Sequence, residues 1–163
     1  MALELENTSS KAGLIINAKK TVLISNTQEK CSLNLNGEIV PLSEETIYLG
    51  QIVSFHDRLD KGISSRIAKA WRGFWSMKAV YKAKLPTKLK ATLLESCTYP
   101  ILTYGSQTWA TTNKQLDKLR RTQVTMERSI TGTRLKDKIH STKIRERTGT
   151  KDIRYTVKKL KIK

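Results

Sequence analysis

The chain has only two cysteines, two histidines and three prolines among its 163 residues. Cys31 and Cys97 stand far apart with no CxxC spacing. They imply no disulfide framework, and a reducing compartment is expected. His56 and His140 are equally distant, so no zinc ligand set is visible. No apolar run approaches the roughly 18 residues of a membrane span. The opening MALELENTSSKAG is acidic and polar, unlike a signal peptide. The expected location is intracellular, nuclear or cytoplasmic, and not secreted. No GxSxG, HExxH or GxxxxGK[ST] occurs. Polymerase and nuclease chemistry needs carboxylates converging on paired Mg²⁺ ions. The pair Glu44-Glu45 lies in a turn-like segment, and neighbours on a strand point to opposite faces, so these are read as solvated turn residues. No catalytic residue, metal ligand or cofactor is expected in this chain.

Acidic residues are also scarce, 14 against 31 Lys and Arg, and the net charge is +17. The imbalance is local. Residues 1–60 hold five basic residues (Lys11, Lys19, Lys20, Lys30, Arg58) and eight acidic ones, for a net −3. Residues 61–163 hold the other 26 basic and 6 acidic residues, for a net +20. A field of that size favours a polyanion. Many single lysines merely solubilise. The longest basic helix nevertheless carries interleaved aromatics, which favours nucleic acid. An anionic membrane is the weaker partner, because the apolar stripes suit packing on one another.

Hydrophobic periodicity changes along the chain. Residues 2–12 read as a helix stopped by Gly13. Residues 21–25 are rich in β-formers and read as a strand. Residues 31–35 and 38–40 flank Asn36-Gly37, a strong hairpin signal, and Pro41 limits the second strand. Residues 46–49 form another strand that ends at Gly50, a pivot between the β-like and helical parts. Residues 21–53 are therefore expected to form a small antiparallel sheet. From Asp60 the stripe Ile63, Ile67, Ala70, Phe74 and Met77 is helical. Trp71 and Trp75 widen it, and Arg66, Lys69, Arg72, Lys78 and Lys82 occupy the remaining circumference. Pro86 fits a first helical turn, followed by Leu85, Leu89, Leu93 and Cys97 at steps of four. Tyr99-Pro100 is expected to break or kink that helix. Thr112 or Asn113 caps a third helix with stripe Leu116, Leu119, Gln123, Met126 and Ile130, closed by Gly132. Further helices are expected near residues 141–147 and from Asp152 onward.

Gly13-Leu14-Ile15-Ile16-Asn17-Ala18-Lys19-Lys20-Thr21 has the form G-L-x-I-N-x-x-K-T. It resembles the segment after the active-site strand in the reverse transcriptases of non-LTR (LINE-type) retrotransposons, and the signals that follow resemble theirs in order. Tyr48-Leu49-Gly50 resembles their primer-grip hairpin. Arg66-Ile67-Ala68-Lys69-Ala70-Trp71 with Phe74 resembles the first thumb helix. The stretch from Pro100 to Trp109 resembles their P-x-L-x-Y-G-x-x-x-W segment. Gln123, Met126-Glu127-Arg128, Gly132, Ile144-Arg145, Thr148 and Asp152-Ile153 continue the pattern, which spans about residues 3 to 160.

The resemblance implies roles for particular residues. Lys20 would lie near the incoming nucleotide. Tyr48, Leu49 and Gly50 would grip the primer end by backbone contact. Arg66, Lys69, Arg72 and Lys78 would track the template–primer backbone, which positions without reading sequence. The family's catalytic Asp strand should precede residue 1, and position 19, often Ser, is Lys. Mg²⁺ is implied for the full-length enzyme together with its fingers and palm, which are the expected missing partners. The resulting expectation is an α+β chain: a palm-edge fragment over 1–56, a helical thumb-like domain over 57–132, and a basic helical connector over 133–163. Its function would be the grip and clamp of a polymerase, inactive alone. The alternative is a stand-alone basic nucleic-acid-binding module derived from a thumb.

Overall fold

A computed structural model of the chain describes residues 2–26, 32–35, 37–55 and 58–162. It is α+β: two small antiparallel hairpins followed by a largely helical part. The chain divides into two compact units, Met1–Arg58 and Leu59–Lys163.

The first unit opens with α1 (Ala2–Lys11), which ends ahead of Gly13 at φ +73°. Strands β1 (Leu33–Leu35) and β2 (Glu38–Val40) pair antiparallel, with Leu35 opposite Glu38 around Gly37 at φ +80°. Cys31 and Asn36, parts of the expected hairpin, lie outside the described residues, as does His56. Pro41 follows β2 directly and has no N–H to extend the ladder. Strands β3 (Glu45–Tyr48) and β4 (Gln51–Ser54) form a second hairpin. Two expectations fail here. The hairpins are separate two-stranded sheets, not one sheet over 21–53. Residues 21–25 contribute no strand, only a parallel bridge between Leu23 and Leu42. Leu23 donates its N–H to the Pro41 carbonyl (3.1 Å) and accepts from Ser43 N–H (2.9 Å), so the β-forming side chains occupy a connector. The core of this unit is small: Ala18, Leu35 and Val40, flanked by Ile16, Leu23 and Leu33.

The second unit is built on α2 (Arg58–Ser76) and α6 (Asn113–Thr131). On α2, Ile63, Ala70 and Phe74 are buried, as the stripe predicts, and Phe74 stacks on Tyr81 of α3 (Lys78–Lys82) at 4.6 Å between centroids. Helix α6 starts with reciprocal capping: the Thr112 hydroxyl accepts from Gln115 N–H, and Gln115 Oε1 accepts from Thr112 N–H (2.9 Å). Leu116, Leu119, Gln123, Met126 and Ile130 are all buried, and Gly132 closes the helix at φ +68°. Helix α7 (Ser141–Thr148) and α8 (Ile153–Ile162) both pack on α6, so the basic C-terminal stretch lies within the same compact unit.

The stretch between α3 and α6 corrects the sequence reading. Pro86 stands just ahead of α4 (Thr87–Leu93). Of the expected stripe, Leu85, Leu89 and Cys97 are exposed, and Leu93 is partly buried against the core. The buried residues include Lys90, Ala91, Leu94, Thr98, Tyr99, Leu102 and Thr103. The helix also passes Tyr99-Pro100 unbroken. Residues Leu94–Thr98 form a π turn, in which Tyr99 donates its N–H to the Leu94 carbonyl, and α5 (Tyr99–Thr103) continues. Pro100 has no N–H, and its ring would collide with the carbonyl four residues earlier in a regular α-helix. The wider turn just ahead of it relieves that conflict.

Gly62 sits inside α2, and a Cβ built there meets nothing within 4 Å. Glycine at such a position costs backbone entropy that alanine does not. Gly62→Ala is expected to stabilise the protein by about 0.5–1 kcal/mol, read as a higher urea midpoint at unchanged slope. A lowered midpoint would overturn this.

Candidate nucleic-acid interface

In the first unit, Tyr48 pairs with Gln51, which leaves Leu49 and Gly50 as a two-residue hairpin turn. Both are left-handed, at φ +47° and +75°. Such a turn matches the twist of the strands and ordinarily uses Asn-Gly. Gly50 adopts it at no steric cost, whereas a leucine there is strained. The side chains of Tyr48 and Leu49 are 66% and 73% exposed. The tip therefore combines a backbone strain and an apolar exposure that stability alone would not favour. Lys20 ends a 3₁₀ turn, Ala18–Lys20, capped by Asn17, whose Oδ1 accepts from Lys20 N–H at 3.2 Å. Its side chain is exposed.

The four basic residues expected on the thumb helix do not form one face. Arg66 is only 8% exposed, and its guanidinium lies over the Tyr104 ring, 4.3 Å from the centroid. Burial pushes its ionisation down from the ordinary arginine value. Lys69 is half-buried. Arg72 is exposed on the side of α2 opposite Ala70 and Phe74, and Lys78 is exposed at the start of α3.

A second basic surface went unread in the sequence. Between α2 and α6 runs a groove lined by Ile67, Trp71, Lys114, Asp117, Lys118, Arg121, Thr122 and Thr125. Trp71 stacks on the half-exposed Trp75 (5.9 Å, 20° between planes) and meets Phe74 edge-on (5.4 Å). The groove is held shut at one end by polar ties between the helices. Gln115 Nε2 donates to Asp60 Oδ1 (3.1 Å), and Lys118 Nζ donates to Ser64 Oγ (2.8 Å). The signal was present as Lys114, Lys118 and Arg121, spaced four and three apart on one helical face.

The helices behind this surface are fixed by a buried polar network. Glu127 on α6 is fully buried. Its Oε1 accepts from Tyr99 Oη (3.2 Å), Gln123 Nε2 (2.8 Å) and Thr150 Oγ1. Gln123 also donates to the Lys151 carbonyl (2.7 Å) and accepts from Ile153 N–H (2.8 Å), which satisfies the first turn of α8. Desolvation raises the Glu127 carboxyl above the ordinary glutamate range, against the opposing hydrogen bonds and the charge of Arg145. Desolvation and the nearby Glu127 charge raise the Tyr99 phenol far out of its normal range. Asp152 takes Arg145 Nη1 at 3.0 Å and Arg154 Nη2 at 2.9 Å. Burial pushes Asp152 up, but the two arginines outweigh it and hold the carboxyl low.

Among the described residues, no group of three or more His, Cys, Asp or Glu could hold a metal ion. No helix among the described residues is long and apolar enough to cross a membrane.

No family model matches the chain, and no solved structure matches it. The chain is similar to a Caenorhabditis elegans protein described as uncharacterized and transposon-derived. The two are 31% identical over 172 aligned positions, covering 99% of this chain and 61% of the relative. The chain thus spans about three fifths of the length of the curated relative it matches. The similarity supports a transposon-related origin for the chain.

Proposed function

We propose that the chain supplies the primer grip and the thumb of a non-LTR retrotransposon reverse transcriptase, and that it holds a template–primer duplex without performing chemistry. The observation that carries this reading is the Tyr48-Leu49-Gly50 tip. The motif order assigns the primer grip to these three residues. A left-handed leucine beside a glycine, exposed at a hairpin turn, is what close backbone approach to a strand end calls for. The transposon-derived relative and the basic excess of residues 61–163 support the same reading. Lys69, Arg72 and Lys78 are the backbone contacts, with Arg66 holding Tyr104 beside them. Lys20 is the residue nearest the nucleotide.

The test uses the purified chain and a generic primer–template duplex. Binding at low salt is expected, with no primer extension when dNTPs and Mg²⁺ are added. Absence of binding at low salt would sink the clamp, and extension above background would sink the non-catalytic assignment.

A further inference from the structure

We propose that the groove between α2 and α6 is a second nucleic-acid subsite, one that takes an unpaired single strand: Trp71 stacks a base, and Lys114, Lys118 and Arg121 hold the phosphates beside it. The inference rests on the reading of the helical unit as nucleic-acid binding, but uses different residues.

The walls of the groove divide by chemistry. Ile67 and Trp71 of α2 are apolar, and Lys114, Lys118 and Arg121 of α6 are cationic. The cations recur at four and three residues, so they follow the helix axis at about 6 Å and 4.5 Å intervals. A rail of charge alongside an aromatic ring is how proteins hold single strands without reading sequence. A duplex does not suit it, because its bases are stacked inside and cannot offer a face to Trp71. Trp71 is backed by Trp75 on one side and meets Phe74 at its edge, so the ring is set before a base arrives. Lys118 spends one donor on Ser64 Oγ and keeps two, which fixes its ammonium at the groove. Asp117 is the one acidic residue of the lining. Arg154 Nη1 lies 3.7 Å from its carboxylate and offsets that charge. Arg72 is not among the residues lining the groove.

The test compares three probes with the full chain: oligo-uridylate and oligo-thymidylate of about 20 nucleotides each, and a blunt duplex of similar charge. Replacing Lys114, Lys118 and Arg121 together by Gln should weaken both single strands about ten-fold or more, and the duplex by much less. Those three side chains are outside the core, so the fold should persist. Trp71→Leu should weaken single-strand binding about ten-fold, while Trp71→Phe, which keeps a stacking face, should largely retain it. Equal loss for duplex and single strands would overturn the subsite, as would Leu and Phe variants that behave alike. Poly-glutamate competing as well as oligo-thymidylate would also overturn it, in favour of an acidic protein partner. The RNA and DNA arms identify the source of the strand. Duplex binding that survives in the groove variants, and falls with Lys69, Arg72 and Lys78, reports on the clamp separately.

Discussion

Glu127→Ala is expected to cost about 3–5 kcal/mol of unfolding free energy. The loss would appear as a lower urea midpoint with the slope unchanged. One carboxylate oxygen accepts from Tyr99, Gln123 and Thr150, all in a dry interior. Alanine removes the acceptor that Tyr99, Gln123 and Thr150 share and opens a void between α6, α5 and the turn before α8. Glu127→Gln keeps an accepting oxygen at that point and should stay within about 1 kcal/mol of the parent at neutral pH. A change of pH separates the parent from both variants, because neither of them carries a titrating group at this position. A carboxyl raised in the folded state holds its proton more tightly there than in the unfolded chain. Its stabilisation is therefore complete below the unfolded glutamate value, about 4.3, and is lost as pH rises through the folded value. Asp152 has the opposite sign: its contribution is present above about 3.9 and is lost on acidification. The parent should thus lose ground to Glu127→Gln as pH rises from about 4 towards neutrality. Parallel stability curves, or an alanine variant within about 1 kcal/mol, would refute the network's importance.

The helices were legible in the sequence where one periodicity was uncontested. The α6 stripe, its Thr112 cap and its Gly132 stop all fall where spacing and capping chemistry put them. They agree because side-chain spacing, the first-turn acceptor and the left-handed stop are each local. The α4 reading failed because two stripes compete. Leu85 and Leu89 are more apolar than Ala91 and Thr98, yet they are exposed, while Ala91, Leu94 and Thr98 are buried and Leu93 is partly buried beside them. Burial there is decided by what α6 and α7 present, which no local pattern records. The π turn before Pro100 is similarly non-local: proline forbids the regular bond, and only packing on both sides keeps the helix going. Residues 21–25 show the converse. Their β propensity is real, but with no partner strand beyond one bridge they remain a connector.

The candidate site was half legible. Tyr48, Leu49 and Gly50 were located, but as a bend; their left-handed pair is a property of the hairpin register, in which Tyr48 meets Gln51. Arg66 was read as surface charge, because a basic residue beside a helical stripe normally points to water. The Tyr104 ring, brought from the residue run after α5, takes it instead. The α2–α6 groove needed two helices to become neighbours before Trp71 and Lys118 could belong to one site.

Duplex affinity should fall by about a thousand-fold between 50 and 200 mM salt if the chain covers about six phosphates. Each neutralised phosphate releases condensed counterions, so the logarithm of affinity falls linearly with the logarithm of salt. The source of the effect is the helical part, where 26 basic residues face 6 acidic ones from residue 61 onward. The structure assigns different slopes to residues that look alike in sequence. Arg72→Gln and Lys78→Gln remove exposed cations, and each should lower the slope by about one while weakening all sequences equally. Lys69→Gln, half-buried, should lower it by less. Arg66→Gln should leave the slope nearly intact, because the guanidinium is spent against Tyr104, and should register as lost stability instead. Filter or anisotropy titrations across a salt series give these slopes directly. Salt-independent binding would remove the electrostatic clamp altogether. An Arg66 variant with the same slope change as Arg72 would show that the Arg66–Tyr104 pair opens to meet phosphate.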